Sequence, residues 1–208
     1  MIPHKLFHCE DREAAIDFIA AHPFAAVAVN GEQGPVTALV PLVTDDKEGM
    51  LIGHVSKSNP FWKAASKADA KAIALFRGAD AYVTPSLYPS KKRHGRVAPT
   101  WDYLALQVRG EIMVETNPEA MRPYLTILTD KMEARQDTPW KVSDAPDDYT
   151  EKMTHAIIGF KLKIDDITYV RKLSQHKKPE DRDSVASAFE SSNNPAQNNL
   201  AEEMKKDN

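Results

Sequence analysis

Residues 24–55 read FAAVAVNGEQGPVTALVPLVTDDKEGMLIGHV, and the punctuation of this stretch decides the fold. FAAVAVN (24–30), PVTALVPLV (35–43) and LIGHV (51–55) are apolar runs rich in strand-forming residues,. Between them stand Gly31-Glu32-Gln33-Gly34 and the segment Asp45 to Gly49, both tight-turn sequences,. A parallel pair needs a crossover of about a dozen residues or more, and these turns have no room for one. The three runs therefore form an antiparallel meander, with Pro41 pointing to an edge or a bulge,.

Working outward, KAIALF (71–76), a short run at 81–84, a long run from Tyr103 to Val114 and the alternating run 157–169 extend the pattern,. That makes six or seven strands, mostly in hairpin order. Helical patterns fall between them. One follows Asp11 to about Ala21, and a short one runs from Pro60 to about Lys67,. A longer helix runs from Asn117 to Ala134, with Met121, Leu125, Leu128 and Met132 as a core stripe,. Two more span 146–156 and 179–189. The predicted fold class is mainly β with α: a closed or half-open antiparallel barrel with peripheral helices. Residues 1–189 form the domain, and the Ser/Asn-rich stretch 190–208 reads as a disordered polar tail,.

The 208 residues are 42% hydrophobic and carry a formal charge of −3, enough for a core and too acidic for a generally cationic nucleic-acid binder. A single cysteine, Cys9, excludes an internal disulfide and suits a reducing compartment,. No apolar run approaches membrane-spanning length, and the N-terminal stretch has no signal-peptide apolar core, so a cytoplasmic protein is expected,. His4, His8 and Cys9 are close in sequence, but Pro3 opposes the helix that would align them on a metal,.

Two stretches carry chemistry. At 56–63, Ser56-Lys57-Ser58-Asn59 ends the third strand and Asn59 can cap the following helix,. Backbone amides, two hydroxyls, Lys57 and Lys63 there compose a phosphate cradle, although the same residues also read as an ordinary capped helix start beside solvated lysines. The second stretch is 80–110, DAYVTPSLYPSKKRHGRVAPTWDYLALQVRG. It sets aromatic-bearing strand ends on either side of a basic loop, an arrangement suited to a flat anion. Trp101 and Tyr103 share one strand face, which fits barrel packing as well as ligand contact,. The run 91–96, KKRHGR, reads equally as a solvated loop or a phosphate or DNA contact,.

LIGHVSKSNPFWK, AYVTPSLY, VAPTWDYLALQVRG and RKLSQHKKPEDR together resemble the FMN-binding split-barrel proteins of the PaiB type. Those proteins are described as negative transcriptional regulators within a pyridoxamine phosphate oxidase-like superfamily. The resemblance implies a six-stranded antiparallel split barrel and a homodimer with FMN at the subunit interface. It places His54, Ser56, Lys57, Asn59, Trp62 and Lys63 at the flavin phosphate and ribityl chain. It adds Thr84, Ser86, Trp101 and Tyr103 from two further blocks, and Lys172, Ser174 and Gln175 from a motif that closes over the flavin of the partner subunit in oxidases. Asp102 departs from the usual Asn and would be unfavourable near an anion unless it faces away or pairs with a cation,.

The function expected is a flavin-binding regulator whose only candidate DNA contact is the basic run 91–96, since no DNA-reading motif is present,. The alternative is an FMN-dependent oxidase or reductase acting on NAD(P)H or a small amine. Haem ligation by His54, His94 or His176 has no spacing to support it,.

Overall fold

The computed structural model describes residues 4–45 and 47–206. Among them are nine strands: β1 (His8–Cys9), β2 (Phe24–Gly31), β3 (Gly34–Pro41), β4 (Val43–Asp45), β5 (Met50–Ser56), β6 (Lys71–Val83), β7 (Thr100–Glu115), β8 (Ile157–Lys163) and β9 (Asp166–Lys172). Seven α-helices accompany them: α1 (Arg12–Ala21), α2 (Phe61–Ala65), α3 (Ser90–His94), α4 (Met121–Glu133), α5 (Asp147–His155), α6 (Pro179–Glu190) and α7 (Pro195–Lys206). The hydrogen-bonded strand order is β3-β2-β6-β7-β8-β5-β4, with β9 paired to β7 and β1. The result is a mixed α+β chain built on one large antiparallel sheet, as the short turns require.

The chain divides into two compact units. The first comprises Met1–Asp11, Arg77–Leu106 and Thr168–Asn208; the second comprises Arg12–Phe76 and Gln107–Ile167. In the second unit, β2 and β3 pair from Phe24↔Pro41 to Gly31↔Gly34 around a two-residue turn. Gly34 has φ 119°, open to glycine alone without strain,. The β3 strand ends the sheet order, and an end strand tolerates Pro35 and Pro41 because their missing N–H groups cost no ladder bond,. The turn predicted at 45–49 is closed by Gly49 N–H to the Asp45 carbonyl at 2.8 Å. Strand β5 lies between β4 and β8, with Val43↔Ile52 and Ile52↔Lys161 in register. A Cβ at Gly53 would come within 2.6 Å of a Leu42 methyl and 3.0 Å of the Phe160 ring, so this strand packs at its closest there. Leu128 of α4 packs on Val43 and Ile52, as the predicted stripe requires.

In the first unit, His8↔Val170 and Cys9↔Tyr169 join β1 to β9. Helix α6 buries Val185 and Phe189, while α7 buries Leu200, Ala201 and Met204. Asn198 Nδ2 donates to the Phe189 carbonyl at 2.9 Å, Arg182 Nη2 donates to the Met204 carbonyl at 2.9 Å, and Arg171 pairs with Glu203 at 3.2 Å.

Several expectations are corrected. The tail predicted to be disordered is α7, docked on its own unit; its polar composition concealed an Asn194 cap, Pro195 in the first turn and apolar residues at i, i+1 and i+4,. The loop predicted at 90–97 contains α3, ended by Gly95 at φ 63°,. The separate runs expected at 71–76 and 81–84 are one continuous strand through Arg77 and Gly78. The buried positions of β6 shift from even (72, 74, 76) to odd (81, 83) across them, and that change of phase looks like a break in the sequence. The single run 157–169 is two strands, β8 and β9. The expectations for Met1–Pro3, Asp46 and the last two tail positions lie outside the described residues.

Candidate functional site

In the second unit, the chain leaves β5 at Ser56 and enters α2 five residues later. Ser58 N–H donates to Ser56 Oγ at 3.3 Å, Asn59 N–H to the Ser56 carbonyl at 2.9 Å, and Lys63 N–H to the Pro60 carbonyl at 3.1 Å. Asn59 caps the helix as predicted, its Oδ1 accepting from Phe61 N–H at 2.9 Å. These amides are therefore spent inside the loop, and α2 is only five residues long. The attraction for an anion comes from side chains instead. Ser56 and Ser58 hydroxyls bond each other at 2.8 Å. The Lys63 ammonium stands 5.8 Å from the Trp62 ring centroid, and the Trp62 indole is fixed by donating to the Lys57 carbonyl at 2.9 Å. Lys57 and Lys63 make no ion pair among the described residues, whereas Lys67, Lys71 and Lys161 of the same unit pair with Glu32, Asp165 and Glu48. Phe61, fully buried, anchors the helix with its ring 5.7 Å from that of Phe160. His54 is half-buried on β5 and its Nδ1 has no partner among the described residues. Burial pulls its pKa down, which favours a neutral imidazole,.

In the first unit, Thr84 caps a short turn by accepting from Ser86 N–H at 3.3 Å, and the Lys91 ammonium lies 3.4 Å from Ser86 Oγ. Trp101 is 49% exposed, so its ring is not packed inside a barrel. Its indole N–H donates to Asp80 Oδ1 at 2.9 Å, and Arg77 donates to Asp80 Oδ2 through Nη2 at 2.7 Å and Nε at 3.0 Å. The Tyr82 ring, also 49% exposed, is 6.0 Å from the Trp101 ring and tilted 58° to it. Tyr103 is partly buried.

Asp102 is fully buried and does pair with a cation. Lys172 donates to its Oδ1 at 3.2 Å, to Thr100 Oγ1 at 2.8 Å and to the Trp101 carbonyl. Ser174, held at φ 60°, donates to Asp102 Oδ2 at 2.5 Å. Gln175 accepts from Leu173 N–H at 2.8 Å and donates to the Arg171 carbonyl at 2.6 Å. The structure thus brings Lys172 and Ser174 together on one carboxylate and spends their donors there. Nearby, Tyr88 is buried with no partner for its hydroxyl among the described residues; burial, then Asp102 and Asp181, push its pKa up to about 12. Within the basic run, Arg93 pairs with Glu180, while Lys92 and Arg96 are exposed and make no ion pair among the described residues.

Sequence reasoning missed Arg77, Asp80 and Tyr82. The signal was available: Asp80, Tyr82 and Thr84 alternate with buried Ala81 and Val83, so they line one strand face,. No group of three or more metal-ligating side chains occurs among the described residues, and no helix among them is long and apolar enough to cross a membrane.

The outward face of β2, β3 and β6 in the second unit is apolar. Phe24 (64%), Leu39 (67%), Ile73 and Leu75 (both 41%) are exposed there, with Ala26 opposite both Leu39 and Leu75. An open cleft of about 500 Å³ adjoins it, lined by Ala28, Asn30, Ile73, Lys71 and Arg109 among others. Its cations are already paired, Lys71 with Asp165 and Arg109 with Asp166 at 2.9 Å, so it lacks the free charge of the 56–63 junction.

Residues 1–166 match the family described as "Putative FMN-binding domain". The chain is 27% identical over 202 residues to "Protease synthase and sporulation protein PAI 2" of Bacillus subtilis, covering 96% of this chain and 94% of that one. It is 33% identical to an uncharacterized protein of Emericella nidulans over 73% of each chain. An FAD- and haem-binding protein from Mycobacterium smegmatis superposes with a TM-score of 0.62 at 18% identity, covering 85% of this chain and 78% of that one. At that identity the likeness concerns the fold.

Proposed function

This chain belongs to the PaiB-type family of FMN-binding domains, with FMN as its cofactor, and on that premise we propose that it is a flavin-dependent regulatory protein acting as a homodimer. The residues present fit the cofactor. A phosphate dianion asks for uncompensated cations and hydroxyl donors, and 56–63 offers Lys57 and Lys63, unpaired among the described residues, with Ser56 and Ser58 between and beside them. This is the observation that carries the reading. Asn59 and Trp62 shape that loop, and neutral His54 offers a ring nitrogen to a polar chain. In the first unit, Thr84, Ser86, Trp101 and Tyr103 are assigned to recognition of the flavin. Lys172, Ser174 and Gln175 act there through the backbone they hold rather than through free donors. Bound FMN supplies a redox-active ring.

The homodimer is supported by the exposed face of Phe24, Leu39, Ile73 and Leu75, since a contiguous apolar field of this kind marks a protein interface,. The regulatory role is supported by the Bacillus subtilis relative, which is named a protease synthase and sporulation protein. Lys91, Lys92 and Arg96 are its proposed contact to DNA, with Arg93 withdrawn into its pair with Glu180. FMN titration followed by flavin fluorescence, sedimentation, and a mobility-shift assay against the protein's own promoter at low salt test the three parts in turn. Binding of FMN to a dimer that retards DNA supports the reading. NAD(P)H oxidation faster than with free flavin and no shift would replace it with a reductase.

A further inference from the structure

Two half-exposed rings on adjacent strands need an explanation, because an indole on a protein surface is free to rotate unless something holds it. Here something does. Arg77 grips one oxygen of Asp80 with two nitrogens, at 2.7 and 3.0 Å, and leaves the other oxygen to accept the Trp101 indole N–H at 2.9 Å. The relay fixes the edge of the indole and so the direction of its face. Tyr82 stands beside it at 6.0 Å, tilted 58°. The patch amounts to two rings bordered by a neutralised ion pair, far below the ~800 Å² per partner that a stable protein interface buries. The apolar face at Phe24, Leu39, Ile73 and Leu75 has a different character, with no aromatic pair and no anchoring carboxylate. A planar heteroaromatic ring is the occupant whose size and chemistry suit Tyr82 and Trp101.

We propose that Asp80 is a positioning residue, set by Arg77, that holds Trp101 and Tyr82 as a fixed aromatic wall for the isoalloxazine ring. The inference rests on the flavin-binding reading given above and adds three residues to it. Asp80 touches no ligand itself; it acts through the indole.

The test uses the full chain, FMN as the probe, and two readouts: the dissociation constant from flavin fluorescence and the visible circular dichroism of bound flavin, which reports ring orientation. Asp80→Asn keeps an acceptor for the indole and is expected to bind FMN within about twofold of wild type. Asp80→Ala removes it and is expected to bind about tenfold more weakly, the loss of one charge-assisted hydrogen bond, with a diminished visible dichroic band. Trp101→Phe, which has a ring but no N–H, is expected to weaken binding similarly and to make Asp80→Ala without further effect. That last result separates positioning from a general structural role. If Asp80→Ala folds poorly, Trp101→Phe alone decides. Wild-type affinity and dichroism in Trp101→Phe, or in a folded Asp80→Ala, overturn the proposal while leaving flavin binding intact. Failure of the wild-type chain to take up FMN overturns both.

Discussion

Lys172→Met is the sharpest perturbation the structure offers. Asp102 has no exposed surface, and its carboxylate is held by one ammonium at 3.2 Å and one hydroxyl at 2.5 Å. Removing one member of a buried pair strands the other and costs about 3–5 kcal/mol. The Lys172 side chain is 16% exposed, so water can reach part of the site and the lower end, about 3 kcal/mol, is expected. Thr100 Oγ1 and the Trp101 carbonyl lose the same donor. Against a total stability of roughly 5–15 kcal/mol, this is a large fraction. With a urea slope of about 1–3 kcal/mol/M, the midpoint should fall by about 1–3 M at unchanged slope. The double variant Asp102→Asn/Lys172→Met removes both charges and should recover more than half of the loss, a coupling that only a direct pair produces. A Lys172→Met midpoint equal to wild type, or a double variant no better than the single, would refute the clamp.

Lys57→Ala and Lys63→Ala should each weaken FMN by about 1.5–3 kcal/mol, roughly 10- to 150-fold, if each ammonium meets the phosphate; unchanged affinity in both moves the cradle elsewhere. His54 gives a pH dependence. Burial lowers its pKa from 6.5, so below that pH the unfolded chain binds more protons than the folded one. Stability should be full above about 6.5 and decline as the pH falls, with His176, lowered by burial and by Lys177 and Lys172, adding in the same direction. Urea midpoints at neutral and mildly acid pH should differ less in His54→Gln than in wild type, and an equal difference would remove His54 as a source. Leu200→Ala, at a fully buried position of α7, should cost about 2–5 kcal/mol; no change in thermal midpoint would mean that the helix does not dock.

The sheet was legible wherever a strand kept one phase between strong turn residues, as in β2, β3 and β5. It was misread at β6, where the inward positions change parity near Gly78 and periodicity alone cannot distinguish a twist in a strand from its end,. The α7 helix was hidden by composition, because three buried apolar residues on a twelve-residue helix hardly shift an average. At the junction, the Asn59 cap followed from residue type, but the fate of the amides did not: whether a loop N–H faces a ligand or its own carbonyl depends on dihedral angles that sequence leaves open. The role of Asp102 was posed as a choice between facing away and finding a cation. Only the fold could supply Lys172, some seventy residues further on,.

The β1–β9 pairing has a consequence for how the polypeptide acquires its structure. His8 meets Val170, about 160 residues later, whereas the β2–β3 hairpin closes across a two-residue turn,. On the ribosome, where residues emerge at about 5–20 per second, the hairpin can form almost at once, while the opening segment must wait on the order of ten seconds for its mate. During that interval His8 and Cys9 lack the ladder partners Val170 and Tyr169. The β1 segment is therefore the part of the sheet that stays unpaired longest as the polypeptide emerges,.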